Sequence, residues 1–372
     1  MFGNRNTNQH NRSFSQPSID SKKGCPIDDQ KEAPQDSTLC IAFINETTFL
    51  TGGWDLHLRG YSISREPPYL SSEKLLYIGA PITSINWLGG FKVVVASAYG
   101  ILLGIDLNSD KIEELQNFES VILKSFKATI KGVDMIIVVL ACGKVAFFDL
   151  QNLEICLTAD FGQMIIDADF SAEADNMVAV ALMSTKFWVG TIYELSENLN
   201  NLEKMIQDST LITKLSLIRL QPHGKSLFMC SVEGRATFFY KTSRTRTPKF
   251  EKHVLYRSRG DDKNYHAGIF ACYSTLQKSG FRHCVVMSNA DFSMTFWNAD
   301  QKNKGLEMNR VEGNVTCMAF SPSSEYLVYA TGLSWVGGIG EVFLKDRGEL
   351  RYPPGLWVKR MSEEDFKKSK KA

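Results

Sequence analysis

The chain has 372 residues, of which 44% are hydrophobic and 22% charged, and its 42 Lys and Arg residues balance 41 Asp and Glu residues. The resulting net charge of +1 excludes a globally basic nucleic-acid-binding protein. The longest apolar runs are far shorter than the roughly 18 residues of a membrane-spanning helix, and the N-terminus lacks the apolar core of a signal peptide. We therefore expect a soluble intracellular protein with no membrane insertion.

The first 32 residues are rich in Asn, Ser, Gln and Lys and show almost no apolar pattern. Such a segment buries too little apolar surface to offset the entropy lost on ordering. We predict a disordered arm over residues 1–32, one folded domain over residues 33–360, and a short helix with a basic tail over residues 361–372.

The folded part begins with a repeat whose centre lies at residues 49–63. Apolar residues flank a tight turn on both sides at strand spacing, and the turn itself carries the pair Trp54-Asp55. A strand, a tight turn and a second strand of this kind are typical of the centre of one blade of a β-propeller.

The same pattern recurs along the chain as an apolar run, a turn, a second run and a third run. The starts lie roughly 40 to 55 residues apart, near the period of about 40 to 45 residues for four-stranded blades. The sequence therefore predicts an all-β fold, a seven-bladed β-propeller closed by a strand from near its start. The six later repeats are predicted at residues 84–107, 121–150, 165–195, 211–241, 267–297 and 315–344. The third strand of the fourth repeat is predicted at residues 186–195, and that of the seventh repeat at residues 340–344.

No motif for catalysis, metal binding or cofactor binding stands out. The cysteines do not form closely spaced pairs, which argues against zinc ligation and a redox pair. Gly224-Lys225-Ser226 resembles the end of a phosphate-binding loop, but Arg219 stands where that loop requires glycine. We predict a protein that is not an enzyme and that has no cofactor and no metal.

A basic segment covers residues 241–260, the long connection between the fifth and sixth repeats, and contains the single acid Glu251. It is either a solvated loop or a contact for an acidic peptide or a phosphate backbone. Direct RNA binding there would require affinity to fall steeply as salt rises. The candidates for nucleic-acid contact are Arg244, Arg246, Lys249, Lys252 and Arg259.

Turns between the second and third strands of like blades emerge on one face of a ring. Trp54 occupies this turn in the first repeat, Glu233-Gly-Arg235 in the fifth, and Trp335 in the last. Because Trp and Arg anchor many protein interfaces, we expect a shared binding rim. The alternative is that Trp54 and Trp335 fold back against neighbouring blades.

The chain resembles the WD-repeat messenger-RNA export factors of the nuclear pore, the Rae-one/Gle-two family. The resemblance covers nearly the whole chain and is strongest in the first, fifth and seventh repeats. The Glu-Gly-Arg and Ser-Trp turns are its most specific elements. It is carried by Pro34-Gln-Asp-Ser37, Cys40-Ile-Ala-Phe43, Gly53-Trp-Asp55, Glu233-Gly-Arg235, Phe296-Trp297, Phe320-Ser-Pro322, Tyr329-Ala330 and Ser334-Trp335.

The resemblance implies a non-enzymatic scaffold that binds a hairpin-like GLEBS segment of a Phe-Gly nucleoporin and supports mRNA export. It implies a nuclear protein at the pore and nuclear envelope, also present in the cytoplasm, as a monomer within a hetero-complex. Arg235 matches the arginine that pairs with acidic residues of the peptide, and Arg257 a second basic position. Trp335 matches the aromatic of a side groove where nucleic acid docks, and Glu233 and Trp54 complete the expected peptide-binding set.

The chain departs from the family in two places. Residues 336–340 read Val-Gly-Gly-Ile-Gly where the family carries basic residues, and the second to fourth repeats lack the Asp-containing turn. Two alternatives therefore stay open: a mitotic spindle-checkpoint adaptor that binds a kinase-associated GLEBS-like peptide, and a propeller that binds RNA or an export ribonucleoprotein directly.

Overall fold

A computed structural model describes residues 25–27, 33–224, 226–233, 235–241, 250–256, 268–273, 284–289, 293–298, 303–308, 311–332, 354–362 and 365. The described residues are organised as four-stranded antiparallel sheets with a few short helical turns. No helix of this part of the chain is long and apolar enough to cross a membrane.

Six sheets each consist of four strands that are consecutive in the chain. Sheet 1 contains β2 (Thr38–Phe43), β3 (Thr48–Gly53), β4 (His57–Ile63) and β5 (Leu70–Tyr77). Sheet 2 contains β6 (Ile82–Gly89), β7 (Lys92–Ser97), β8 (Ile101–Asp106) and β9 (Lys111–Asn117). Sheet 3 contains β10 (Ile122–Ile130), β11 (Val133–Leu140), β12 (Lys144–Asp149) and β13 (Glu154–Asp160).

The next three sheets follow the same order. Sheet 4 contains β14 (Ile165–Ser171), β15 (Met177–Leu182), β16 (Lys186–Thr191) and β17 (Gln207–Asp208). Sheet 5 contains β18 (Leu215–Leu220), β19 (Ser226–Ser231), β20 (Ala236–Lys241) and β21 (Phe250–Tyr256). Sheet 6 contains β22 (Gly268–Tyr273), β23 (Cys284–Asn289), β24 (Met294–Asn298) and β25 (Asn303–Met308).

A further sheet joins the two ends of the chain. Sheet 7 contains β26 (Asn314–Phe320), β27 (Tyr326–Gly332) and β28 (Gly355–Arg360), with β1 (Cys25–Pro26) on its outer edge. The first strand of each sheet packs beside the first strand of the next, and β26 packs beside β2. The fold is therefore an all-β propeller, as the sequence predicts.

The hydrophobic core lies between neighbouring sheets, because strands buried on both faces are apolar at almost every position. Between sheets 3 and 4, for example, Val139 and Phe147 pack with Val180 and Trp188, and all four are fully or almost fully buried. Each sheet thus buries its apolar faces only by stacking against its neighbours, which explains why the sequence repeats the same apolar pattern.

Sheet 4 carries the only helical insertion among the described residues. It consists of α1 (Ile192–Glu197), a 3₁₀ turn (Leu199–Asn201) and α2 (Leu202–Met205). The predicted third run at residues 186–195 is therefore too long. Thr191 and Glu194 form a reciprocal capping box, which ends the strand and starts the helix.

The third strand of sheet 7 is also corrected. The sequence predicts it at residues 340–344, but the strand paired with β27 on that side is β28, with Val328 opposite Val358. Residues 333–353 lie outside the described part of the chain. The prediction is wrong because it chose the short apolar run at residues 340–344, whereas the run that pairs with β27 begins 15 residues later, at Gly355.

The predicted boundary of the N-terminal arm needs a correction as well. Cys25 and Pro26 pair with Val358 and Trp357 of β28, and the Ile27 amide donates to the Leu356 carbonyl at 3.0 Å. Residues 25–27 thus belong to the folded domain and supply the closing strand that the sequence predicts. Residues 1–24 lie outside the described part.

At the other end of the domain, Ser362 meets Asp365 across one turn. The Ser362 amide and hydroxyl both donate to Asp365 Oδ2, at 2.8 and 3.0 Å, and Lys359 Nζ lies 3.3 Å from Asp365 Oδ1. This contact resembles the predicted helix cap, while the basic tail lies outside the described residues.

Candidate partner-binding face

One end of the propeller carries the turns in which the sequence places its binding residues. Because strands alternate in direction, the turn between second and third strands lies at the same end as the connection into the first strand. Hydrogen bonds join the two elements: the Trp54 amide donates to the Ser37 carbonyl at 3.1 Å, and the Val232 amide to the Lys214 carbonyl at 3.0 Å. We call this end the turn face.

Arg235 lies at the edge of the turn between β19 and β20. Its carbonyl accepts a hydrogen bond from the Ser231 amide at 2.9 Å, which closes the turn. Its side chain is 40% exposed, and its Nε lies 3.6 Å from Oε2 of Glu233, which is 43% exposed. An ion pair this exposed contributes only about 0.2–1 kcal/mol, so a ligand carboxylate can compete with Glu233 for the guanidinium.

Trp54 occupies the equivalent turn of sheet 1, and about half of its side chain is exposed. Its neighbour Asp55 is fixed by an ion pair with buried Arg59 and by the Gln35 amide, which donates to Asp55 Oδ2 at 3.0 Å. The aspartate holds the turn in place, and the indole lies at the surface. This exposure argues against the alternative in which Trp54 folds back against a neighbouring blade.

Trp54, Glu233 and Arg235 therefore share the turn face, but they do not form one compact pocket. Sheet 1 and sheet 5 are separated by sheets 2–4 on one side of the ring and by sheets 6 and 7 on the other. A small ligand cannot contact both turns, whereas an extended polypeptide can.

The remaining predicted site residues are only partly covered by the structure. Trp335, Arg257 and four of the nucleic-acid candidates, Arg244, Arg246, Lys249 and Arg259, lie outside the described residues. Lys252 lies on β21, in register with Phe239 of β20. The prediction of a loop throughout residues 241–260 is wrong, because β20 reaches Lys241 and β21 forms the outer strand of sheet 5.

A buried charged cluster between sheets 4 and 5 was missed by the sequence reasoning. Asp167 of β14 forms an ion pair with Arg219 of β18 and accepts the Ile218 amide at 2.9 Å. Asp169 accepts the Leu220 amide at 2.8 Å. Desolvation raises the pKa of Asp169 to about 6, although the charge of Arg219 opposes this shift.

This cluster joins β18 of sheet 5 to β14 of sheet 4. The signal that could have found it is the presence of two acids and one arginine inside apolar strand runs, because buried charges need partners. The sequence does not say which of those charges meet.

Burial affects the acidity of two strand thiols, those of half-buried Cys40 and of buried Cys230. Burial raises the pKa of Cys40 to about 12, although the charge of Lys124 opposes this shift. Burial also raises the pKa of Cys230 well above its ordinary value. Since the thiolate is the reactive form, both side chains act as small apolar groups.

No protein-family model matches the chain, and no curated protein matches it significantly. The resemblance to the export factors therefore stays a prediction from the sequence motifs.

Proposed function

We propose that the protein is a non-enzymatic scaffold of the nuclear pore that binds a GLEBS-like hairpin of a Phe-Gly nucleoporin and supports mRNA export. The observation that carries this proposal is the position of Arg235, half-exposed on a fixed turn of the face that also presents Trp54. The protein acts in the nucleus, at the pore, as one copy within a hetero-complex.

We also propose that the seven sheets are the blades of one WD-repeat ring. Three observations support this: each sheet has four antiparallel strands, the first strands pack in a closed order, and β1 completes the last sheet. The Trp54-Asp55 turn, with its buried Asp55–Arg59 pair, is the local feature that agrees best with a WD repeat.

The chemistry of Arg235 suits an acidic partner. A guanidinium presents its donors in a planar fork that matches the two oxygens of a carboxylate. In the free protein Glu233 lies beside this fork and favours one orientation of it, so less side-chain entropy is lost when the partner binds. The bound hairpin would exclude water from Arg235, and the lower local dielectric would make the new ion pair with the partner stronger than the exposed pair with Glu233.

The test is calorimetric titration of the full chain with the GLEBS segment of a Phe-Gly nucleoporin from the same proteome. We expect Arg235→Glu to weaken binding by at least about 2 kcal/mol, the scale for a reversed contact in a buried charge pair. The matched control is Lys92→Glu, which reverses an exposed cation at the opposite end of the propeller in sheet 2 and should change binding by less than about 0.5 kcal/mol.

Unchanged affinity of the Arg235→Glu variant would contradict the role of Arg235. No binding of the segment by the unaltered chain would contradict the proposed function itself.

A further inference from the structure

The turn face carries exposed apolar side chains on four consecutive sheets, sheets 2 to 5. Sheets 2–4 lie between the Trp54 turn and the Arg235 turn, and sheet 5 carries the Arg235 turn. These side chains come from the turns between second and third strands and from the connections that lead into first strands. They are Tyr99 of sheet 2, Val121 of sheet 3, Met164 and Met183 of sheet 4, and Ile212 and Val232 of sheet 5. We call these six residues the apolar arc.

In sheet 4 the backbone places two members of the apolar arc beside one another. The Met183 amide donates to the Met164 carbonyl at 2.8 Å, so the two methionines are neighbours. In sheet 3 the Ala141 amide makes the same contact with the Val121 carbonyl at 2.9 Å. Val121 and Met164 therefore occupy corresponding positions of sheets 3 and 4, and Met183 and Val232 occupy corresponding turn positions of sheets 4 and 5.

The apolar arc is not required for packing within the domain. Tyr99, Met183 and Ile212 are 62%, 49% and 72% exposed. Single exposed apolar side chains are normal on soluble domains, but the apolar arc extends over four consecutive sheets and ends beside Arg235.

Charged residues of both signs lie on the described part of the same face. Lys144 is in register with Asp160 across β12 and β13, and Lys186 with Asp208 across β16 and β17. The surface beside the apolar arc therefore has no dominant sign of charge, in contrast to a face that would attract a nucleic-acid backbone. Its natural complement is an uncharged, apolar stretch of polypeptide.

The ends of the apolar arc decide what kind of partner fits. One end approaches sheet 1 with Trp54, and the other end, Val232, stands three residues before Arg235. We infer that one partner polypeptide crosses the turn face from sheet 1 to sheet 5, with an uncharged apolar stretch on the apolar arc and an acidic residue at Arg235. This inference rests on the proposed function, and it adds the sequence chemistry of the bound segment.

The test compares two triple variants with matched exposure. The arc variant is Tyr99→Ser, Met183→Ser, Ile212→Ser. The control variant is Phe91→Ser, Leu153→Ser, Tyr193→Ser, whose three side chains are 62%, 53% and 53% exposed at the opposite end of the propeller. Equal denaturant midpoints for both variants and the unaltered chain confirm that neither change unfolds the domain.

The probe is the GLEBS segment used for Arg235, titrated at about 0.1 M and about 0.5 M salt. We expect the arc variant to bind at least about 100-fold more weakly at both salt concentrations, because the lost contacts are apolar. The control variant should change affinity less than about twofold. Equal affinity of the arc variant and the unaltered chain would overturn the inference.

A second probe separates failure of the inference from failure of the proposed function. A displayed library of uncharged apolar 12-residue peptides is selected on the unaltered chain and counter-selected on the arc variant. Recovery of peptides that bind only the unaltered chain supports the apolar arc even if the GLEBS segment does not bind, and no enrichment overturns it. Sedimentation that shows a dimer of the unaltered chain, lost in the arc variant, would also overturn it, because a second copy would then be the occupant.

Discussion

The turns of sheet 1 and sheet 5 occupy the same place in the repeat but use their arginines in opposite ways. In sheet 1, Arg59 is buried and held by Asp55, so the pair belongs to the scaffold. In sheet 5, Arg235 is half-exposed beside an equally exposed Glu233. The comparison shows that one repeat unit can bury an acid–arginine pair inside the fold or leave it exposed on a surface turn.

The largest effect should come from breaking the buried pair. Arg59→Ala leaves the Asp55 carboxylate buried without its counter-charge, and we expect a loss of about 3 kcal/mol in the free energy of unfolding. Urea unfolding followed by fluorescence measures this loss. A loss below about 1 kcal/mol would show that the backbone amides of Gln35 and His57 suffice to satisfy Asp55, and the contrast between the two turns would weaken.

A second effect concerns the charged cluster that joins sheets 4 and 5. The folded-state pKa of Asp169 is raised from 3.8 to about 6, so the folded protein holds this proton more tightly than the unfolded chain. This contribution to stability is fully present below about pH 4 and is lost as pH rises through about 6.

Asp169→Asn removes the titration, so the unaltered chain should lose about 1–2 kcal/mol relative to the variant between pH 4 and pH 7. Unfolding midpoints at these two pH values give the difference. Parallel pH dependence of the two proteins would rule out Asp169 as its source.

The smallest effect is expected at the exposed pair. Arg235→Ala should change the free energy of unfolding by less than about 0.5 kcal/mol, because an exposed ion pair contributes little to folding. The same unfolding assay at low and high salt measures it. A loss comparable to that of Arg59→Ala would make Arg235 a structural residue and remove its special place in binding.

The sequence predicts the repeated sheets well because each inner strand is a continuous apolar run bounded by turn residues. The sequence-based prediction fails where a strand is very short or where two apolar runs compete for the same place in a sheet. β1 has two residues inside a polar segment, and β28 competes with another apolar run nearer to β27. The end of β16 was readable from the Thr191–Glu194 capping box, but Ile192 and Leu195 made the helix look like more strand.

The candidate site was predictable only in part, for a related physical reason. A turn between two apolar runs identifies Trp54 and Arg235 as surface positions, because turns lie outside the packed layers. The Asp167–Arg219 pair spans two sheets and 52 residues of sequence, so no local pattern reveals it. The apolar arc escaped notice because its members are single residues at the ends of separate repeats.

The two-residue strand β1 ties residue 25 to residue 358. Contacts so distant in sequence form late, since the chain must close a very long loop before they add stability. Until β28 has folded, β1 has nothing to pair with, and until β1 docks, the outer edge of sheet 7 stays open at Leu356 and Val358. Residues 25–27 and β28 therefore depend on each other, and we expect unfolding of the domain to begin at the outer edge of sheet 7.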